Sequence, residues 1–133
     1  MRKSTITAEF NADVKTVWDI VTDNGNYSWR SDLARIEVSG DTFTEYTKQG
    51  FQTRFTITRR EPYRRYEFDM ENGNFTGHWT GTFSETGAGS TRVNFTETLN
   101  IRNPLMELLS YIGMPLKKIQ KTYIADLRKA LGG

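Results

Sequence analysis

The stretch that decides the fold is NPLMELLSYIGMPLKKIQKTYIADLRKAL, residues 103–131. Asn103 offers a side-chain cap, and Pro104 falls at the first helical position, where a missing N–H costs nothing. Leu105, Leu108, Ile112, Leu116, Ile119, Tyr123, Leu127 and Leu131 then recur at spacings of three and four. That period predicts a long amphipathic helix at the C-terminal end. Gly113 and Pro115 interrupt it, so a kink or break is expected near Met114, because proline removes a donor and clashes with the preceding turn. Lys117, Lys118, Lys121 and Arg128 lie opposite the apolar stripe and read as a solvated face.

Upstream, from Leu33 to about Ile101, the period falls to two and turn residues punctuate it. Ile36 and Val38 precede Ser39-Gly40-Asp41; Phe43 to Thr47 precedes Lys48-Gln49-Gly50; Phe55 and Ile57 precede Glu61-Pro62. Tyr66, Phe68 and Met70 follow, then Trp79 and Phe83 with Gly77 and Gly81 in phase, and finally Val93, Phe95, Leu99 and Ile101. This is an antiparallel meander of six strands. Many of the chain's eighteen threonines alternate with these apolar residues, as a β-branched solvent face requires.

At the other end, Ile6, Ala8 and Phe10 alternate with Thr5, Thr7 and Glu9, a half-buried first strand. Val14, Val17, Trp18 and Val21 then switch to helical spacing, with Asn11 or Asp13 available as the cap. Asp23-Asn24-Gly25-Asn26-Tyr27 is dense in turn formers, after which Trp29 and Leu33 suggest a second short helix or a structured loop. The order is therefore strand, two short helices, six strands, long helix. A seven-stranded antiparallel sheet with one long amphipathic helix to cover its apolar face should curl around that helix. The fold class is α+β, in a single domain spanning 1–133.

Composition narrows function. The chain has 133 residues, 18 basic and 16 acidic, and a net charge of +2. So small an excess, without a basic stripe, gives no reason to expect nucleic acid as a partner. With no cysteine and a single His78, thiolate chemistry and most transition-metal sites are excluded. No apolar run long enough to span a bilayer occurs, and the basic start MRKSTITAEF lacks the apolar core of a signal peptide. A cytoplasmic protein without integral membrane association is expected, with a homodimer left open.

Five stretches stand in a telling order: Phe10 to Trp18, Asp23 to Trp29, Gly77-His78-Trp79, Gly89 to Val93 and Asp126 to Leu131. Taken together they resemble the START-like or birch-pollen-allergen-like superfamily (SRPBCC), in its bacterial polyketide cyclase/dehydrase-like branch. The resemblance implies the helix-grip fold and a hydrophobic cavity between sheet and C-terminal helix that holds apolar molecules. It implies a cofactor-free member, since the Cys and His ligands of the iron-containing relatives are missing. Fatty-acid-binding β-barrels also place two short helices after the first strand, but their chains end in strands.

The expected function is binding of a small apolar or aromatic ligand in a pocket of roughly 300 to 1,000 Å³. Trp18, Trp29, Phe55, Tyr66, Phe68, Trp79, Phe95, Ile112, Leu116 and Tyr123 are assigned to its lining. Glu97 joins them, because alternation puts it on the face of Phe95 and Leu99, where a carboxylate needs a partner or an elevated pKa. Arg59, in phase with Phe55 and Ile57, is the counterion considered for it. The alternatives are a cyclase, dehydratase or isomerase with Glu97 as its candidate catalytic group, and a chaperone-activator-like interaction domain. His78 is in phase with Thr76 and Thr80 and reads as solvated. Arg59, Arg60, Arg64 and Arg65 around Pro62-Tyr63 read as a solvated turn.

Overall fold

Alternation from Leu33 to Ile101 yields six strands, and their turns let each one pair with the next. The structure is a computed structural model that describes residues 1–113 and 115–132, the side chains of 109–113 excepted. Its elements run β1 (Arg2–Phe10), α1 (Val14–Thr22), β2 (Leu33–Ser39), β3 (Thr42–Thr47), β4 (Gln52–Glu61), β5 (Arg65–Glu71), β6 (Phe75–Gly87), β7 (Ser90–Ile101), α2 (Pro104–Gly113) and α3 (Leu116–Ala130). The seven strands form one antiparallel sheet in the order β1-β7-β6-β5-β4-β3-β2, curled around the C-terminal helix.

Local chemistry explains the helix starts. Asp13 caps α1, its Oδ1 accepting from the Thr16 N–H at 2.8 Å, and the helix buries Val17, Trp18 and Val21. Asn103 caps α2 by accepting from the Leu105 N–H at 2.9 Å. Of the two short helices expected after β1, the second takes the form of a structured loop. Residues 24–32 run as turns, with Arg30 N–H donating to the Tyr27 carbonyl at 2.9 Å and Trp29 Nε1 to the Asn26 carbonyl at 3.1 Å.

The expected long helix is two helices, α2 and α3, on either side of Met114, which itself lies outside the described residues. Extended Pro115 (φ −75°, ψ 99°) restarts the helical phase, so the stripe read from the sequence does not form one face. Leu116 and Leu127 are buried as expected, and Ile124, outside that stripe, is buried with them. Leu108 and Ile119 are not: they are 66% and 41% exposed, and Leu105 is exposed beside them. Gln120 and Asp126 take the buried places, which two polar side chains can do because both are hydrogen-bonded.

One sheet irregularity bears on the site. The β4–β5 register shifts between Ile57 and Arg59, so the bulge turns Arg59 to the outer face. There its guanidinium lies 2.8 Å from Glu61 and 3.7 Å from Glu67. Arg59 is therefore no counterion for an inward carboxylate.

Candidate functional site

Inward residues of β3 to β7 build one wall of a cavity, the 23–32 segment its mouth, and α3 its roof. The cavity measures about 140 Å³, smaller than the sequence suggested, because large rings fill much of the concave face. Phe68 and Trp79 stack at 4.9 Å with an interplanar angle of 3°, and Trp79 meets Phe95 at 4.8 Å. From the roof Tyr123 sets its ring edge-on to Trp29 at 5.3 Å and to Phe95 at 5.7 Å. This aromatic box has little room to collapse, since Phe68, Trp79, Phe95 and Tyr123 are each held by two or more other rings.

Of the predicted lining residues, Trp29, Phe55, Tyr66, Phe68, Trp79, Phe95, Glu97 and Tyr123 all border the cavity. Trp18 does not. It packs behind Tyr66 at 5.9 Å and against Phe83 at 5.1 Å, a core position fixed by α1 lying on β6 and β7. Leu116, in the first turn of α3, is buried in the core rather than on the cavity. The Ile112 side chain lies outside the described residues. His78 is on the outer face, its Nδ1 2.6 Å from Asp69 and its Nε2 2.7 Å from Glu67.

Glu97 keeps strict alternation, opposite Trp79 on β6 and Ser4 on β1, so its carboxyl opens onto the cavity. Burial, reinforced by the nearby Glu45 carboxylate and only partly offset by Arg30 and Arg2, pushes its pKa up to about 7. No described residue hydrogen-bonds that carboxyl. Glu45 is likewise raised by burial, with Arg30 opposing and Asp32 adding to the shift. Burial also pushes the Tyr123 hydroxyl up, so it stays protonated.

Sequence reasoning missed the polar side of this cavity. Arg30, from the turn-rich segment, grips Asp32 with two hydrogen bonds of 3.2 Å, Nε to Oδ1 and Nη2 to Oδ2, and reaches Glu45 Oε2 with Nη1 at 3.4 Å. Its guanidinium also sits 4.7 Å from the Tyr123 ring centroid. Burial works against its charge, yet the Glu45 and Asp32 carboxylates hold it protonated. Glu45 was legible, because it is in phase with Phe43 just as Glu97 is with Phe95. Arg30 was not, because a segment of turns has no period. Asn24 Nδ2 donates to the Tyr66 hydroxyl at 3.0 Å, and Gln120 Nε2 donates to the Ser4 carbonyl at 2.9 Å. Asp126 of α3 pins the segment by accepting from Ser31 N–H and Ser31 Oγ, each at 2.8 Å.

The arrangement can enclose one ring-sized apolar body and present a single ionisable group to it. Among the described residues no cluster of three metal-binding side chains occurs, and no helix is long and apolar enough to cross a membrane. The sequence profile of the family described as polyketide cyclase / dehydrase and lipid transport matches residues 1–132. No curated protein matches the chain in sequence. Among solved structures, the protein XoxI from Bacillus cereus superposes with a TM-score of 0.79 at 16% identity, over 98% of this chain and 96% of that one. A START superfamily protein from Mycobacterium smegmatis gives 0.79 at 13% identity, over 98% and 97%. Norcoclaurine synthase from Thalictrum flavum gives 0.76 at 11% identity, over 98% and 86%. At such identities the likeness is one of fold.

Proposed function

The chain belongs to the polyketide cyclase / dehydrase and lipid transport family, and from that premise we propose that it binds a small, apolar or aromatic molecule in the cavity under α3. One observation carries the reading: an aromatic box of about 140 Å³ on which a few polar groups converge from one side. An apolar cavity of about 150 Å³ suffices for benzene. A compact single-ring ligand therefore suits the space, and anything larger would have to displace the 24–32 segment or Ile119 at the mouth. A cytoplasmic location belongs to the same reading.

The test is native mass spectrometry of protein purified from its own host, joined to amide chemical-shift mapping with the molecule recovered. Shifts confined to Trp29, Phe68, Trp79, Phe95 and Tyr123 would support the cavity. Shifts confined to the outer face of the sheet would refute it.

Glu97 favours a second reading, a cofactor-free cyclase, dehydratase or isomerase. A carboxyl titrating near neutral pH inside an apolar box is suited to proton transfer. In that case Glu97→Gln, which keeps shape and removes ionisation, should lower turnover by roughly 10² to 10⁴ while leaving binding largely intact. The interaction-domain alternative has less support, because the outer face of β5 and β6 carries ion pairs and threonines rather than an apolar patch.

A further inference from the structure

If the cavity binds a small molecule, its charge distribution narrows the class. We propose that the ligand is a small organic ammonium ion, its nitrogen on the Glu97 carboxylate and its apolar body against the Phe68–Trp79–Phe95 wall. This rests on the binding reading above and goes beyond it, because an apolar box by itself would favour a neutral ligand.

The lining carries four carboxyl groups, Asp23, Asp32, Glu45 and Glu97, against one guanidinium, Arg30. Arg30 is already compensated by neighbouring carboxylates. All three of its nitrogens already donate to Asp32 and Glu45, and it lies within cation–π distance of Tyr123. An anionic ligand would meet an excess of negative charge among the lining side chains. A cation would meet the reverse.

Glu97 is the enclosed acceptor left over, since Asp23 is exposed at the mouth. Its carboxyl opens onto the cavity with no hydrogen bond from a described residue, and the Glu45 carboxylate is close enough to oppose its ionisation. An ammonium group placed there relieves that repulsion and donates charge-assisted hydrogen bonds, stronger than those a neutral hydroxyl can offer. The Trp79 and Phe95 rings beside Glu97 add cation–π attraction in a desolvated setting. The volume limits the rest of the molecule to about one ring and a short arm.

The groups that face Glu97 define a pH signature. They are Arg2 from β1, Arg30 from the turn segment, Glu45 from β3, and Gln120 and Tyr123 from α3. Arg30 stays charged and Tyr123 stays neutral around pH 7, so Glu97 is the group that responds. Below about 7 it is mostly protonated, and binding an ammonium must expel that proton. A neutral ligand would expel none.

The test compares benzylamine, benzyl alcohol and benzoate, which are nearly equal in size, by isothermal titration in two buffers of different ionisation enthalpy. Benzylamine should bind at least about tenfold tighter than benzyl alcohol at neutral pH, benzoate should bind worst, and only benzylamine should release a proton under mildly acidic conditions. Glu97→Gln should bring benzylamine down to the alcohol's affinity and leave the alcohol within about threefold of its original value. If benzyl alcohol binds as well as or better than benzylamine, the ammonium assignment falls and the cavity reading stands. If none of the three binds, both fall. The ranking and the proton release are read on the unmodified protein, so the outcome holds even where the variant does not fold.

Discussion

The Trp79 indole lies directly across Gly81, two residues along β6. A Cβ at position 81 would stand 2.5 Å from Trp79 Cη2 and 2.7 Å from Cζ3. The missing side chain of one residue is what lets the other lie flat against Phe68 and tilted on Phe95. Gly81→Ala should push the indole into the cavity, at a stability cost of about 1 to 3 kcal/mol for overpacking. Ligand affinity and tryptophan fluorescence should both change. Unaltered binding with an unaltered emission spectrum would show that the ring has no part in shaping the site.

Gly77 makes a contrast, because a Cβ there would meet the Thr98 backbone carbonyl at 2.5 Å. A side chain can swing aside and a strand cannot. Gly77→Ala should therefore cost more stability than Gly81→Ala, measured by denaturant melts of the two variants side by side.

Glu97 makes stability depend on pH with a definite sign. Its folded pKa, about 7, is above its ordinary 4.5, so the folded state holds the proton more tightly. That contribution is fully present below about 4.5 and is lost as pH rises through 7, a change of about 3 kcal/mol. Glu97→Gln should flatten this part of the profile, so the variant gains on the parent protein as pH rises. Parallel melting profiles for the two proteins across that window would disprove the buried titration.

His78 titrates in the same direction from the opposite face. Burial opposes its charge, but hydrogen bonds to Asp69 and Glu67 outweigh it and raise the pKa above 6.5. Its contribution is present below 6.5 and is lost as pH rises through the folded value. Because the pair is solvent-screened, it amounts to less than about 1 kcal/mol. His78→Gln should trim that small slope and leave ligand binding untouched, as titration of both properties would show.

Asp126 joins α3 to the segment that carries Arg30. Asp126→Ala would remove the acceptor of the Ser31 N–H and hydroxyl, at about 1 kcal/mol for each part-buried hydrogen bond. Hydrogen exchange should accelerate at Ser31 and its neighbours, and ligand affinity should fall with it. Asp126→Asn keeps an acceptor oxygen and should recover most of both.

What the sequence determined by itself was whatever rests on local period and local capping. A strand points successive side chains to opposite faces, so alternation was enough to put Phe55, Tyr66, Phe68, Trp79, Phe95 and Glu97 on the concave side. A cap needs only its own turn, so Asp13 and Asn103 were legible as helix starts. Tertiary structure decided the rest. One extra residue after Ile57 reversed the facing of Arg59, and a bulge leaves no trace in a hydrophobic pattern. Helical phase restarts after Pro115, so Leu108 and Ile119 reach solvent while Gln120 and Asp126 are buried. Whether an inward ring borders a void or fills the core depends on what packs from the other side, which separated Trp79 from Trp18. Arg30 was beyond reach altogether, since it enters the cavity from a segment of turns and finds its partners, Glu45 and Tyr123, only when β3 and α3 come together.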